Sequence, residues 1–92
     1  MTTVYRLAPH AGLVHEEGPP PCVYLADLRT GPVLTLPGTA AVILLVALDV
    51  DAAEVPSEVA RLTGAEVDTV RPHVARHLAA LADRDLIRID AR

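Results

Sequence analysis

The chain has no phenylalanine, no tryptophan and no lysine, and only one cysteine and two tyrosines, in 92 residues. Each absence excludes something. Without large rings a core has to be built from Val, Leu, Ile and Ala, which favours small elements packed closely, because no ring can span a gap. The lone thiol, Cys22, can form neither an internal disulfide nor, by itself, a zinc site, and a reducing cytosolic setting is the default. With no lysine, the eight basic residues are all arginine; twelve carboxylates outweigh them, for a formal net charge of −4. Nucleic-acid modules draw much of their affinity from phosphate neutralisation and carry a basic face, so this balance speaks against DNA or RNA as a partner. Long apolar runs are missing too. The longest, Ala40 to Leu48, falls well short of the ~20 residues that span a bilayer. The residues after Met1 lack the apolar stretch of a signal peptide. A cytoplasmic protein with no membrane partner is expected.

Apolar residues make up 51% of the chain, too many for disorder. The length fits one domain. A fold of this size hides roughly two-thirds of the surface its unfolded form exposes, which leaves little room for a buried cofactor and a lid. No cofactor is expected.

Proline and glycine punctuate the first half. Gly18-Pro19-Pro20-Pro21 is a strong breaker. It separates Ala11 to Glu16 from a strand-like run, Cys22 to Leu28. Arg29-Thr30-Gly31-Pro32 reads as a turn, with Gly31 free to take positive φ. Val33 to Leu36 is a second strand-like run, and Pro32 before it suits a strand beginning or a sheet edge. The simplest reading is a three-stranded antiparallel meander over 11–16, 22–28 and 33–36, preceded by an N-terminal arm, 1–10.

The second half is helical in pattern. A first helix is predicted over 39–48. A second starts near Pro56, where a first turn tolerates proline, and stops at Gly64 in the left-handed conformation. In the third, Val67, Val70, Val74, Leu78 and Leu81 recur at helical spacing. Thr69 as N-cap would place Pro72 in the first turn, where its missing N–H costs little. The helix ends at Asp85-Leu86, and within the tail, 85–92, Ile87-Arg88-Ile89 alternates as a short extended segment. The fold class is therefore α+β: a three-stranded antiparallel meander followed by three helices within 39–84, in a winged helix-turn-helix-like arrangement and a single domain over 1–92. That outline carries no function by itself.

Candidate chemistry is sparse. His73 and His77, four apart, share one helix face, but the metalloprotease pattern needs a Glu directly after the first His, and that position is Val74. Groove-lining or surface histidines are the plainer reading. Cys22 follows three prolines with no helix N-terminus nearby to activate it, so an inert thiol is expected. The carboxylates suit a solvated surface, and no phosphate-binding glycine loop is present. No catalytic or metal site is assigned, and the chain reads as a non-enzyme. A helix-turn-helix outline invites DNA binding, yet residues 53–84 carry Arg61, Arg71, Arg76 and Arg84 against Glu54, Glu58, Glu66, Asp68 and Asp83, four positive charges against five negative. A recognition helix facing phosphates is not normally neutral.

Two apolar features remain. The segment 40–48 is apolar all round, so its helix is either unusually enclosed or leaves a stripe for another protein. Val33 to Leu36 follows a hairpin, so it can lie at a sheet edge with unpaired backbone groups. An edge strand beside an apolar helix is what capture of an extended peptide requires. The competing reading is that residues 1–10 cover that edge.

The stretch Val23-Tyr24-Leu25-Ala26-Asp27-Leu28-Arg29-Thr30-Gly31-Pro32-Val33-Leu34-Thr35-Leu36-Pro37-Gly38-Thr39-Ala40-Ala41 resembles the PqqD-like family of precursor-peptide recognition elements. Asp49, then Glu54 to Leu62, then Val74 to Ile87 continue the likeness over roughly residues 11–89, and Arg6-Leu7-Ala8-Pro9-His10 is similar to the family's N-terminal lead-in. The family often has Asn before the first helix; this chain has Pro37, which removes a capping side chain. Polar or aromatic positions of the first helix are here Val42, Leu44 and Leu45.

The resemblance implies a small domain that binds the leader of a ribosomally made, modified peptide and presents it to tailoring enzymes. A chain of this size with the Arg-Thr-Gly turn looks most like the leader-binding half of split lasso-peptide systems. The implied partners are then a precursor leader peptide and a separate cysteine-type leader peptidase, the latter meeting helix 39–48. The closest rival is the small chaperone of pyrroloquinoline quinone biosynthesis, which serves a radical enzyme. The implied mechanism is strand addition. The leader pairs with Val33, Leu34, Thr35 and Leu36 as a fourth antiparallel strand. Its side chains drop toward helix three near Val67, Val70, Val74, His77 and Leu78, with Arg71 beside that face to meet a carboxylate. The same helix-three residues are also the best core candidates. The readings from other classes are a winged-helix regulator of DNA and a dimer or interaction module that uses helix one.

Overall fold

Short apolar runs broken by proline and glycine set the order of elements in the computed structural model, in which residues 2–91 are described. The strands are β1 (Thr3–Leu7), β2 (Ala11–Glu16), β3 (Cys22–Asp27), β4 (Val33–Pro37) and β5 (Ile87–Ala91). The helices are α1 (Thr39–Ala47), α2 (Val55–Thr63) and α3 (Val67–Asp83), with one 3-10 turn at Ala52–Glu54 before α2. This is an α+β fold. The order β2-β3-β4 is the antiparallel meander expected from the sequence, with Gly31 at φ 91° in the turn that leads into β4.

The arm and the tail go beyond the sequence reading, which has the tail extended at Ile87–Ile89 but leaves both unpaired. They are strands, and they pair antiparallel from Thr3 opposite Ala91 to Leu7 opposite Ile87. Val4 and Ile87 are buried, and Arg6 reaches Asp90 at 3.0 Å across the pair. Each segment is too short to declare itself. The pairing joins the two ends of the chain, so no local pattern announces it.

Alternation along the meander puts Val23, Leu25 and Leu36 in the core. The opposite face carries Val14 and Val33, both exposed, and Leu28 lies over Gly12 on that side. Helix α1 resolves the second open question. Ala41, Ile43, Leu44, Val46 and Ala47 are buried, while Ala40, Val42, Leu45 and Leu48 are half-buried and packed against the same cluster. The helix is largely enclosed, and no residue of 40–48 is fully exposed, so a peptidase meeting 39–48 would find only Thr39 and the half-buried flanks. The N-cap of α1 is Gly38, not Pro37, and it has no side chain to make a capping hydrogen bond.

Helix α2 begins one residue before Pro56 and ends at Gly64, whose φ is 75°. Helix α3 corrects the sequence reading at its start. The N-cap is Glu66, not Thr69, and Pro72 lies inside the helix. Pro72 leaves the Asp68 carbonyl without its helical donor, but both residues are exposed and water can take the donor's place. The added turn brings Val67, half-buried, to the head of the apolar face. The C-terminus is a Schellman motif: Leu86 N–H donates to the Leu81 carbonyl at 3.1 Å and Asp85 N–H to Ala82 at 2.9 Å. Asp85 takes the left-handed position at φ 59°, one of the few non-glycine residues that do so readily.

Candidate functional site

Strand β4 is an edge, because β3 is its only neighbour in the sheet. Its register puts Leu25 opposite Leu34 and Val23 opposite Leu36. Gly38 N–H donates to the Pro21 carbonyl at 2.8 Å, one step beyond that ladder. In an antiparallel pair, hydrogen-bonded positions alternate. Leu34 and Leu36 therefore spend their backbone groups on β3, and the N–H and C=O of Val33 and Thr35 point to the open side. Pro37 falls on that side as well, which is where a residue without an N–H does least harm. Among the described residues neither Val33 nor Thr35 makes a further backbone hydrogen bond. Residues 3–7 do not cover this edge, since they pair with β5.

Helix α3 packs mainly on α2, α1 and β5 and leaves a groove toward β4. Two recesses mark its ends. The smaller, about 260 Å³, lies at the start of β4 between Leu25, Leu34, Leu86 and Arg84. The larger, about 500 Å³, lies beyond the end of β4, where Thr39, Ala40 and Ile43 of α1 face His73, Arg76, His77 and Ala80. Burial holds the His77 imidazole below its ordinary pKa, partly offset by the Ala40 backbone. Its buried Nε2 has no hydrogen-bond partner among the described residues. The Arg76 guanidinium donates to His73 Nδ1 at 2.8 Å.

The structure divides the ten candidate residues. Val33, Leu34, Thr35 and Leu36 do form the edge, with Leu36 buried and Leu34 half-buried against the core. Val70, Val74 and Leu78 are core side chains; they hold α3 in place and are covered by its neighbours. Val67 is half-buried at the start of α3. His77 does line the groove. Arg71 does not. It lies about two and a half turns from Ala80 along α3, which puts it on the opposite side of the helix. The residues on the groove side that the candidate set omits are His73, Arg76, Ala80 and Arg84. Their spacing of 3, 4 and 4 was visible in the sequence, but an alanine between two arginines gives no apolar signal. The covered edge and the open edge are likewise indistinguishable from pattern.

Around the smaller recess the charge is largely committed. The Arg29 side chain and backbone N–H hold Asp27, whose pKa falls to about 2. Arg29 also reaches Asp85 at 3.4 Å, and His10 Nε2 lies 2.7 Å from the Asp85 backbone carbonyl. These contacts tie the β3–β4 turn, the start of β2 and the α3–β5 corner together. Among the described residues no three His, Cys, Asp or Glu side chains come together to hold a metal ion, and no helix is long and apolar enough to cross a membrane. No family model matches this chain, and neither a curated protein nor a solved structure matches it.

Proposed function

We propose that this chain is a non-catalytic adaptor that takes an extended segment of a ribosomally made precursor peptide as a fourth strand on β4, after the fashion of the PqqD-like recognition elements it resembles. One observation carries the reading: the open backbone groups of Val33 and Thr35 face a groove instead of a covering segment. Main-chain pairing supplies affinity and the recesses supply choice of side chain. A meander followed by three helices suits a winged helix-turn-helix-like domain used for peptide rather than DNA. The resemblance names the leader of a lasso-peptide precursor as ligand, with tyrosine and proline as the usual anchors, and a separate cysteine-type leader peptidase as the enzyme served. The aliphatic lining of the smaller recess, Leu25, Leu34 and Leu86, suits either anchor. Service to another modified-peptide pathway would use the same edge.

Fluorescence polarisation with a labelled leader from a precursor encoded beside this protein tests the reading. Thr35→Pro removes an outward N–H and leaves the β3 ladder intact, so binding should weaken by about tenfold or more with an unchanged circular dichroism spectrum. Leu34→Asp is the poorer test, since Leu34 also packs on the core. No saturable binding, or the same affinity with Thr35→Pro, would sink the proposal.

A second reading, a DNA-binding regulator, draws on the arginines of α3. It predicts that Arg76→Ala with Arg84→Ala abolishes binding to upstream DNA, with a steep salt dependence. The outward stripe of α3, Asp68, Pro72, Arg76, Ala79 and Asp83, is exposed and carries two carboxylates to one arginine, which a helix lying in the major groove does not favour.

A further inference from the structure

Charge pairing in this protein is uneven in a way that bears on the groove. Arg6 pairs with Asp90, Arg29 with Asp27 and Asp85, Arg61 with Glu58, and Arg88 with Asp85. Among the described residues the arginines with no carboxylate partner are Arg71, Arg76 and Arg84, all on α3. Two of these, Arg76 and Arg84, line the two recesses at the ends of the groove. They sit with Ala80 between them at i, i+4 and i+8, one stripe of the helix. Among the described residues lining either recess the only carboxylate is Asp27, and Arg29 already holds it. A protein with net charge −4 thus keeps two cations without a carboxylate partner at the two ends of its open strand edge, Arg76 being held only by the neutral His73 ring.

From this arrangement we infer that the groove selects an acidic extended segment, with carboxylate side chains four positions apart, one for Arg84 and one for Arg76. The inference rests on the strand-addition reading and specifies its ligand class. The spacing follows from geometry. Eight residues of helix rise about 12 Å, and four residues of strand advance about 13 Å. Positions four apart on a strand also point to the same face, so both carboxylates turn toward α3 while the residue midway between them passes over Ala80. A small side chain at Ala80 leaves room for that passage. Arginine suits the task, because its fork can take a carboxylate through two hydrogen bonds.

The test uses labelled synthetic Val/Thr/Leu peptides that carry Glu, Gln or Lys at two positions four apart, titrated into the full chain at low and physiological salt. The Glu peptide should bind tightest and weaken with salt. Arg76→Gln and Arg84→Gln should each cost it about two- to fivefold and leave the Gln peptide unaffected. Arg71→Gln, on the far side of the helix, should change nothing. An Arg76→Glu, Arg84→Glu double variant should prefer the Lys peptide; that reversal is beyond a merely structural effect. Equal binding of the Glu and Gln peptides, still sensitive to Thr35→Pro, overturns the charge inference and leaves strand addition standing. Failure of every peptide, with Thr35→Pro silent, overturns both. Displacement of the Glu peptide by random duplex DNA at physiological salt overturns the inference in favour of a nucleic-acid ligand.

Discussion

Asp27 shows how a single side chain can fix a corner of this small domain. Arg29 donates to both of its carboxylate oxygens, at 3.2 and 3.0 Å, and the Arg29 backbone N–H adds a third bond at 2.9 Å. These contacts favour the ionised form, so the pKa falls from 3.8 to about 2. A carboxyl with a depressed folded-state pKa stabilises the fold above its unfolded value and loses that contribution as pH falls through the folded one. The window is therefore pH 4 down to about 2. Asp27→Asn should lower the thermal midpoint at neutral pH and narrow the drop seen between pH 4 and pH 2. An unchanged acid profile in the variant would show that the Arg29 clasp does not couple to folding. The same corner holds the turn that launches β4, which links a residue-scale contact to the position of the edge.

At the scale of elements, α2 depends on one conformational exception. Gly64 occupies the left-handed position, and a Cβ there would meet nothing within 4 Å. The obstacle to another residue is backbone energy, not space. Gly64→Ala should cost about 1 kcal/mol, read as a fall in the denaturation midpoint with the denaturant slope unchanged. A neutral result would mean that α2 can end in another way. Helix α1 makes the opposite point. Its sequence is apolar on every side, and periodicity cannot say which side is covered. Neighbouring elements settle that by burying Ala41, Ile43, Leu44, Val46 and Ala47 and half-covering the rest of 40–48. In α3 the apolar spacing identified Val70, Val74, Leu78 and Leu81 correctly as one face, and that face is core. The groove lies along its flank, where arginine, histidine and alanine alternate and no hydrophobic period marks the site. Its first turn was misplaced, because proline was assigned to a first turn, whereas the helix starts at Val67 and holds Pro72 on its exposed side.

The whole molecule is a slab of 37 × 36 × 18 Å, which is two layers thick. Such a slab cannot cover both faces of its meander, and its closure relies on the two chain ends meeting. Ile87 is the anchor of that closure, fully buried where β5 leaves α3. Tyr5 is the one tyrosine ring packed against the core cluster among the described residues, so aliphatic contacts supply most of what holds the layers together. Ile87→Ala should therefore cost about 2–5 kcal/mol, a large part of the 5–15 kcal/mol typical of a domain. Far-UV circular dichroism is the suitable monitor, since the chain has no tryptophan. A shift of only a degree or two would indicate that the β1–β5 pair is peripheral to cooperative folding.

By itself the sequence determined the local alphabet of this protein. Strand runs and helix faces follow from periodicities of two and 3.6. The turn at Gly31 and the stop at Gly64 follow from backbone freedom, and an aliphatic core follows from the lack of rings. These are short-range properties, carried by residues a few positions apart. Only the tertiary structure decided that residues 3–7 pair with 87–91, which leaves the β4 edge bare. Only it showed that Arg76 and Arg84, not Arg71, line the recesses at the two ends of that edge. Such facts depend on which surfaces meet across the chain, and a charged flank or an unpaired backbone edge has no period of its own to betray it.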